Sequence, residues 1–334
     1  MEFIGPVNRL SESSVHMSNP VLPNFFIVGA PKAGSTSLYY YLDQHPQIYM
    51  SPIKEPCFFA PEIEPGNFSE EFREPVEKEL LALREYLDGP MTDRRFGGLV
   101  REREQYLKLF KNVCDERAIG EASVCYLWSA EAARNIRNEI PAAKIIVILR
   151  DPADRAFSQY LHAVTNGLFA GSFREMLQAS LSARGNKFGV LYPFLELGMY
   201  SQQVIRYQEL FPADSLKICF FDDYQNHQEP FVKDIFRFLQ VDPAFSPDFS
   251  KKHLQPQVAR FTALNPFFKS HRLKETVRQV LPQFAHPFLR SLYYKQRRSL
   301  VLEPADRKRL IEYYSEDIRH LQQLLGRDLS TWMR

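Results

Sequence analysis

Phe25-Phe26-Ile27-Val28-Gly29-Ala30-Pro31-Lys32-Ala33-Gly34-Ser35-Thr36-Ser37 is the stretch that decides the fold. Four consecutive apolar residues ending at Gly29 read as a strand buried on both faces, as in a parallel sheet. A glycine-bearing turn over 29–34 follows, and Ser35 opens a helix expected to reach His45, where Pro46 stops it. Strand, turn and helix in that order form the opening unit of a nucleotide-binding α/β domain. The turn has the parts of an anion cradle. Glycines let backbone N–H groups face inward, the hydroxyls of Ser35, Thr36 and Ser37 donate, and the helix presents its positive N-terminal end.

The register of this loop separates it from a triphosphate site. A Walker A loop places lysine directly after its second glycine; here that place is Ser35, and the lysine is Lys32, two residues before Gly34. A triphosphate site also needs a magnesium ion held by a Ser/Thr and an acid, yet the strand ending at Leu149 is followed by Arg150 before Asp151. A sulfuryl group carries less charge than a terminal phosphoryl group and can transfer with lysine and backbone N–H groups alone. The displaced lysine therefore favours a sulfate donor, with no metal, over ATP–Mg²⁺ in a P-loop kinase.

Outward from this unit, strands are expected at 118–120, 144–149 (KIIVIL) and 216–221 (LKICFF). Helices are expected near 101–111, 129–139, 152–166, 200–210 and 227–240, and again from Pro304 to a stop at Gly326. This alternation predicts an α/β, three-layer, P-loop-like fold with a central parallel sheet flanked by helices. Residues 1–23 read as a polar, disordered arm, and 24–334 as a single domain. Within it, 61–115 form an insertion with two helices, suited to a lid over an acceptor cleft. A second constellation is LRDPADRAFSQY at 149–160: Arg150 ends a buried strand, where open α/β sheets place ligands, and Ser158 lies about two turns up the next helix. A guanidinium and a hydroxyl so placed can grip a second phosphate.

The composition is that of a globular protein, and its balance of 42 Lys+Arg against 40 Asp+Glu argues against a general nucleic-acid binder. Residues 251–298 nevertheless carry 11 basic residues against Glu275, while 61–90 hold nine acids against three bases. Cys57, Cys114, Cys125 and Cys219 form no C-x-x-C pair, so neither a disulfide framework nor a zinc site is expected; buried free thiols fit a reducing compartment. With no signal-peptide pattern and no apolar run of about 20 residues, the expectation is a cytoplasmic chain without a membrane partner.

Taken together, PKAGSTSL (31–38), KEPCFF (54–59), GEASVCYL (120–127), ILRDPADRAFSQY (148–160), LGMYSQQ (197–203) and LLGRDLSTW (324–332) resemble the sulfotransferases that use 3′-phosphoadenosine 5′-phosphosulfate (PAPS), in their bacterial and heparan-sulfate-type branch. The resemblance implies that Lys32 binds the 5′-phosphosulfate and stabilises the leaving phosphate oxygen. It places Ala33, Gly34, Ser35, Thr36 and Ser37 around that phosphate, and Arg150 and Ser158 on the 3′-phosphate. Glu55 matches the general base of the heparan enzymes. Lys252 and Arg260 fall where the family carries a C-terminal 3′-phosphate loop, and Tyr200 is an aromatic candidate for the adenine or acceptor pocket. The product would be adenosine 3′,5′-bisphosphate (PAP). The acceptor is expected to be a hydroxyl or amine of a small molecule, and the acids of 61–90 favour a cationic metabolite; a carbohydrate or glycan is the alternative.

Overall fold

Phe25, Phe26, Ile27 and Val28 are wholly buried, and the strand they form, β1 (Phe25–Gly29), is the central member of a five-stranded sheet. The computed structural model describes residues 20–183, 187–250 and 301–334, together with two short strands, Gln257–Ala259 and Tyr294–Gln296. The polar arm up to residue 19 and most of the basic segment 251–298, with Lys252 and Arg260, lie outside the described residues.

After β1 come helix α1 (Ser35–Leu42) and strands β2 (Ile48–Met50) and β3 (Ile53–Lys54). The insertion contributes α2 (Glu70–Asp88), β4 (Arg95–Phe96), which pairs with β3, and α3 (Arg103–Lys108). The chain then returns through β5 (Ala118–Ala122), α4 (Cys125–Trp128), α5 (Ala132–Glu139), β6 (Lys144–Leu149) and α6 (Pro152–Thr165). Next are α7 (Phe173–Ser182), α8 (Tyr200–Leu210), β7 (Leu216–Phe220), α9 (Phe221–Asn226) and α10 (Gln228–Leu239). The Gln257–Ala259 and Tyr294–Gln296 strands pair antiparallel, and α11 (Pro304–Leu325) follows.

The main sheet has the order β2-β5-β1-β6-β7, and every registered pair in it is parallel. The loops after β1, β5 and β6 therefore open at one edge. The connection from β1 runs to β2 on one side while β6 and β7 lie on the other, so the crevice at the carboxyl end of β1 is the expected ligand position. The α/β architecture with a central parallel sheet is as the sequence predicts.

Several boundaries differ, each for a physical reason. Helix α1 stops at Leu42 rather than reaching His45. His45 is 2% exposed and works as a bridge: Nδ1 accepts from the Gln47 N–H and Nε2 bonds the Asp242 carbonyl, each at 3.0 Å. The expected 129–139 helix starts only at Ala132, after Ser129, whose hydroxyl accepts from the Ala132 N–H. The 216–221 strand ends at Phe220, and Phe221 starts a helix. Cys114 is exposed, against the expectation of uniformly buried thiols.

Helix α11 ties the far side together. Its Asp317 accepts from the Tyr200 and Ser201 N–H groups at 2.7 and 3.1 Å, capping α8 from a different helix. Arg307 pairs with Asp151 at 2.6 Å, and Tyr314 donates its hydroxyl to the Leu195 carbonyl at 2.9 Å. The terminating Gly326 is left-handed (φ +59°), as expected of a residue just past a helix end.

Candidate active site

The loop after β1 is left-handed at Lys32 (φ +64°) and at Gly34 (φ +91°). A Cβ on residue 34 would meet the Phe221 ring at 3.1 Å, so glycine is required both by the backbone and by the aromatic lid of α9. From the end of β6, Arg150 Nη1 donates to the Lys32 carbonyl at 2.9 Å, and its guanidinium lies 4.6 Å from the Phe221 ring centroid. Phe221 thus contacts both the Gly34 turn and the Arg150 guanidinium. The apolar run LKICFF draws Phe221 into the expected 216–221 strand, whereas the strand ends at Phe220.

The N-terminus of α1 fits a phosphate. Gly34 provides no side-chain cap and the first turn holds no acidic residue. The first intrahelical donor is the Leu38 N–H, to the Gly34 carbonyl at 3.1 Å, so the amides of Ser35, Thr36 and Ser37 come before any backbone pairing in the helix. Ala33 and Ser35 are buried, while Lys32, Thr36 and Ser37 are half-buried. Ser158 is buried on α6, the helix that starts just after Arg150. Asp151 is used structurally: Oδ1 caps α6 through the Ala153 and Asp154 N–H groups, and Oδ2 holds Arg307. Tyr200 is wholly buried in the core, its ring 6.3 Å from that of Trp332.

Glu55 sits on a second left-handed turn, with φ +71° at Glu55 and +54° at Cys57. Non-glycine residues hold such angles only when their surroundings fix them, and here hydrogen bonds do so. The Glu55 N–H donates to the Ala122 carbonyl at 2.8 Å. The Cys57 N–H donates to Ser123 Oγ at 3.1 Å, and Ser123 in turn donates to Glu121 Oε1 at 2.6 Å. Glu121 is fully buried and also receives the hydroxyls of Tyr106 and Tyr126. Burial pushes its carboxyl up to about 7, although the three hydroxyls pull the other way. The Cys57 and Cys125 sulfurs lie 3.1 Å apart beside this turn, and burial holds the Cys125 thiol well above its ordinary value. The Glu55 side chain is one-third exposed and pairs through Oε1 with Lys54 Nζ at 2.5 Å; Lys54 is 1% exposed and stands over the Phe96 ring.

His162 lies on α6. Burial first, and then the positive charge of Lys32, push its imidazole down to about 4, while the negative charge of Glu55 opposes them. Lys32 and Glu55 therefore both act on one imidazole, which is neutral at pH 7. Beside His162 opens a cavity of about 320 Å³ that also touches Pro31 and Cys125. A family model described as the sulfotransferase family matches residues 23–247.

The chain belongs to the sulfotransferase family. A solved sulfotransferase from Alicyclobacillus acidocaldarius is 31% identical, with a TM-score of 0.67; the match covers 94% of this chain and 100% of that one. Carbohydrate sulfotransferase 15 of Mus musculus is 27% identical over 263 residues, covering 68% of this chain and 45% of the relative. Bifunctional heparan sulfate N-deacetylase/N-sulfotransferase 3 of Homo sapiens is 28% identical over 230 residues, covering 67% and 23% respectively. This chain thus spans less than half the length of these two curated relatives. As a sulfotransferase, it brings Lys32, residues 33–37 and Arg150 into one cradle, with Ser158 on the adjoining helix and Glu55 on a neighbouring turn.

Proposed function

We propose that this chain transfers a sulfuryl group from PAPS to a hydroxyl or amine of a small-molecule acceptor, with Glu55 as general base and Lys32 at the leaving oxygen. The observation that carries the reading is that the Lys32 loop follows β1 and the Glu55 turn is pinned by its N–H to Ala122, the last residue of the neighbouring strand β5, so both stand at the carboxyl edge of one sheet, with Pro31 of that loop lining the cavity. When bound, the donor supplies a sulfur whose bond to the phosphate oxygen breaks as its bond to the acceptor heteroatom forms.

The chain's residues then have separate tasks. Glu55 takes the proton that the acceptor heteroatom loses, a contribution of roughly 10²–10⁴-fold. Lys32, the amides of 34–37 and their hydroxyls hold the negative charge left on the phosphate oxygen, in a site organised before the reaction begins. Arg150 and Ser158 hold the 3′-phosphate, and the Arg150 contact to the Lys32 carbonyl couples that grip to the loop. Asp151, spent on its cap and on Arg307, is not disposed as the acid of a magnesium–triphosphate site. The insertion over 61–115 serves as the acceptor-side lid, since Ile63, Phe68 and Phe72 reach the cavity.

Thermal unfolding with added nucleotide tests this reading. Adenosine 3′,5′-bisphosphate should raise the midpoint at micromolar concentration, and ATP–Mg²⁺ should not. The reverse ranking overturns it.

A further inference from the structure

Resting on the sulfotransferase reading, we infer that the acceptor is an uncharged alcohol or phenol with an apolar, ring-sized body, and that the aromatic box around Phe188 selects it. Among the described residues, no lysine, arginine, aspartate or glutamate lines the cavity beside His162. Four aromatic side chains make one wall: Phe188 stacks on Tyr192 with centroids 6.0 Å apart, and meets Trp128 and Phe68 edge-on at 5.5 and 5.7 Å. Phe72 and Met176 add to the apolar lining. Rings and apolar walls of this kind favour an apolar guest by burial and stacking.

The wall is held from both sides. The Phe188 N–H donates to the Asn67 carbonyl at 2.7 Å and the Ser69 N–H donates to the Phe188 carbonyl at 2.9 Å, zipping the insertion to the segment after α7. A Cβ on Gly189 would come within 3.1 Å of Ser69 Oγ, so the two strips approach closely. Gln159 and His162, both on α6, the helix that also carries Ser158, bring polar groups to the lining. Pro31, adjacent to Lys32, also lines the cavity. A guest with a single hydroxyl and an apolar remainder would thus present the hydroxyl toward Lys32 and Glu55.

Charged acceptors fit poorly. A carboxylated or sulfated sugar would lose its hydration with no cation in the lining to replace it. The acids of α2 that suggested a cationic metabolite are directed elsewhere: Glu70, Glu74, Glu77, Glu79, Glu85 and Asp88 are exposed, and none lines the cavity.

Purified chain and PAPS would be offered 2-naphthol, 1-octanol, agmatine and a desulfated heparosan oligosaccharide, with sulfated product followed by mass spectrometry. Nucleotide binding would be measured separately by calorimetry with adenosine 3′,5′-bisphosphate. The expected result is sulfation of 2-naphthol or 1-octanol with kcat/KM at least 100-fold above agmatine and the oligosaccharide. Phe188→Ala and the milder Phe188→Leu should raise the 2-naphthol KM about 10-fold and about 3-fold, leaving nucleotide affinity within 2-fold. Nucleotide binding with sulfation of agmatine or the oligosaccharide in preference, or of none of the four, overturns the acceptor inference alone. Absence of nucleotide binding overturns the sulfotransferase chemistry beneath it.

Discussion

Lys54 Nζ lies 2.5 Å from Glu55 Oε1, so a wholly buried ammonium holds the carboxylate of the very next residue. Adjacent side chains on an extended strand point to opposite faces. The left-handed backbone at Glu55 is what turns the pair toward each other. The arrangement fixes one carboxylate oxygen and its charge. Replacing Glu55 by Gln keeps the shape and removes the basicity, so turnover should fall about 10²–10⁴-fold while calorimetric affinity for adenosine 3′,5′-bisphosphate stays within 2-fold. Lys54→Met keeps the packing but releases the carboxylate; a loss of about 10-fold in kcat is expected from the misplaced base, again with nucleotide affinity retained. Persistence of full turnover in Glu55→Gln would assign the base elsewhere.

Gly34→Ala tests the loop. The φ of +91° and the Phe221 ring 3.1 Å from the new Cβ act together. Stability should fall by about 1–3 kcal/mol in a denaturant titration, and the nucleotide-dependent rise in thermal midpoint should disappear. A variant that still shows the full rise would mean that the loop does not carry the phosphate.

Arg150→Lys retains the charge and loses the planar fork. It also removes the geometry that reaches the Lys32 carbonyl. Wild-type protein should prefer adenosine 3′,5′-bisphosphate to adenosine 5′-phosphate. The variant should lose about 10-fold of that preference, equal to about 1.4 kcal/mol of discrimination. Calorimetry with the two nucleotides measures it directly.

Glu121 gives a stability signature with a definite sign. Its folded value of about 7 is above its ordinary value of 4.5, so between these limits the folded state binds more protons than the unfolded one. Its contribution is fully present below pH 4.5 and is lost as pH rises through 7, by on the order of 3 kcal/mol. Glu121→Gln should flatten this part of the profile in urea titrations from pH 4.5 to 8. An unchanged slope would show that the carboxyl ionises without penalty. His162 runs in the opposite direction: its depressed value removes stability as pH falls from 6.5 toward 4, so the two single variants separate the limbs.

The sheet could be read because its strands are short continuous apolar runs; KIIVIL is matched by β6 residue for residue. What was missed lacked such a signal. Ile48–Met50 is three residues long between Pro46 and Pro52, too brief for any periodicity. Helix α7 did carry one: Ser172 and Glu175 form a reciprocal capping box, a pattern visible in sequence. The loop residues Lys32 to Ser37 and Arg150 were legible because anion chemistry dictates their types and spacing. The Glu121–Ser123–Cys57 chain was not, because it joins residues 66 apart in sequence through burial alone. The aromatic box was equally hidden, since Phe68, Trp128 and Phe188 meet only after the insertion has folded back.

The cap that Asp317 places on α8, with Arg307 on Asp151, has a consequence for biosynthesis. Helix α11 follows in chain order all the elements it braces, so a nascent chain cannot finish α8, or neutralise the residue beside Arg150, until residues 304–325 have emerged. Folding of this face therefore waits on α11, and ribosome-bound intermediates stalled before residue 304 should be protease-sensitive around residue 200 and around residue 151.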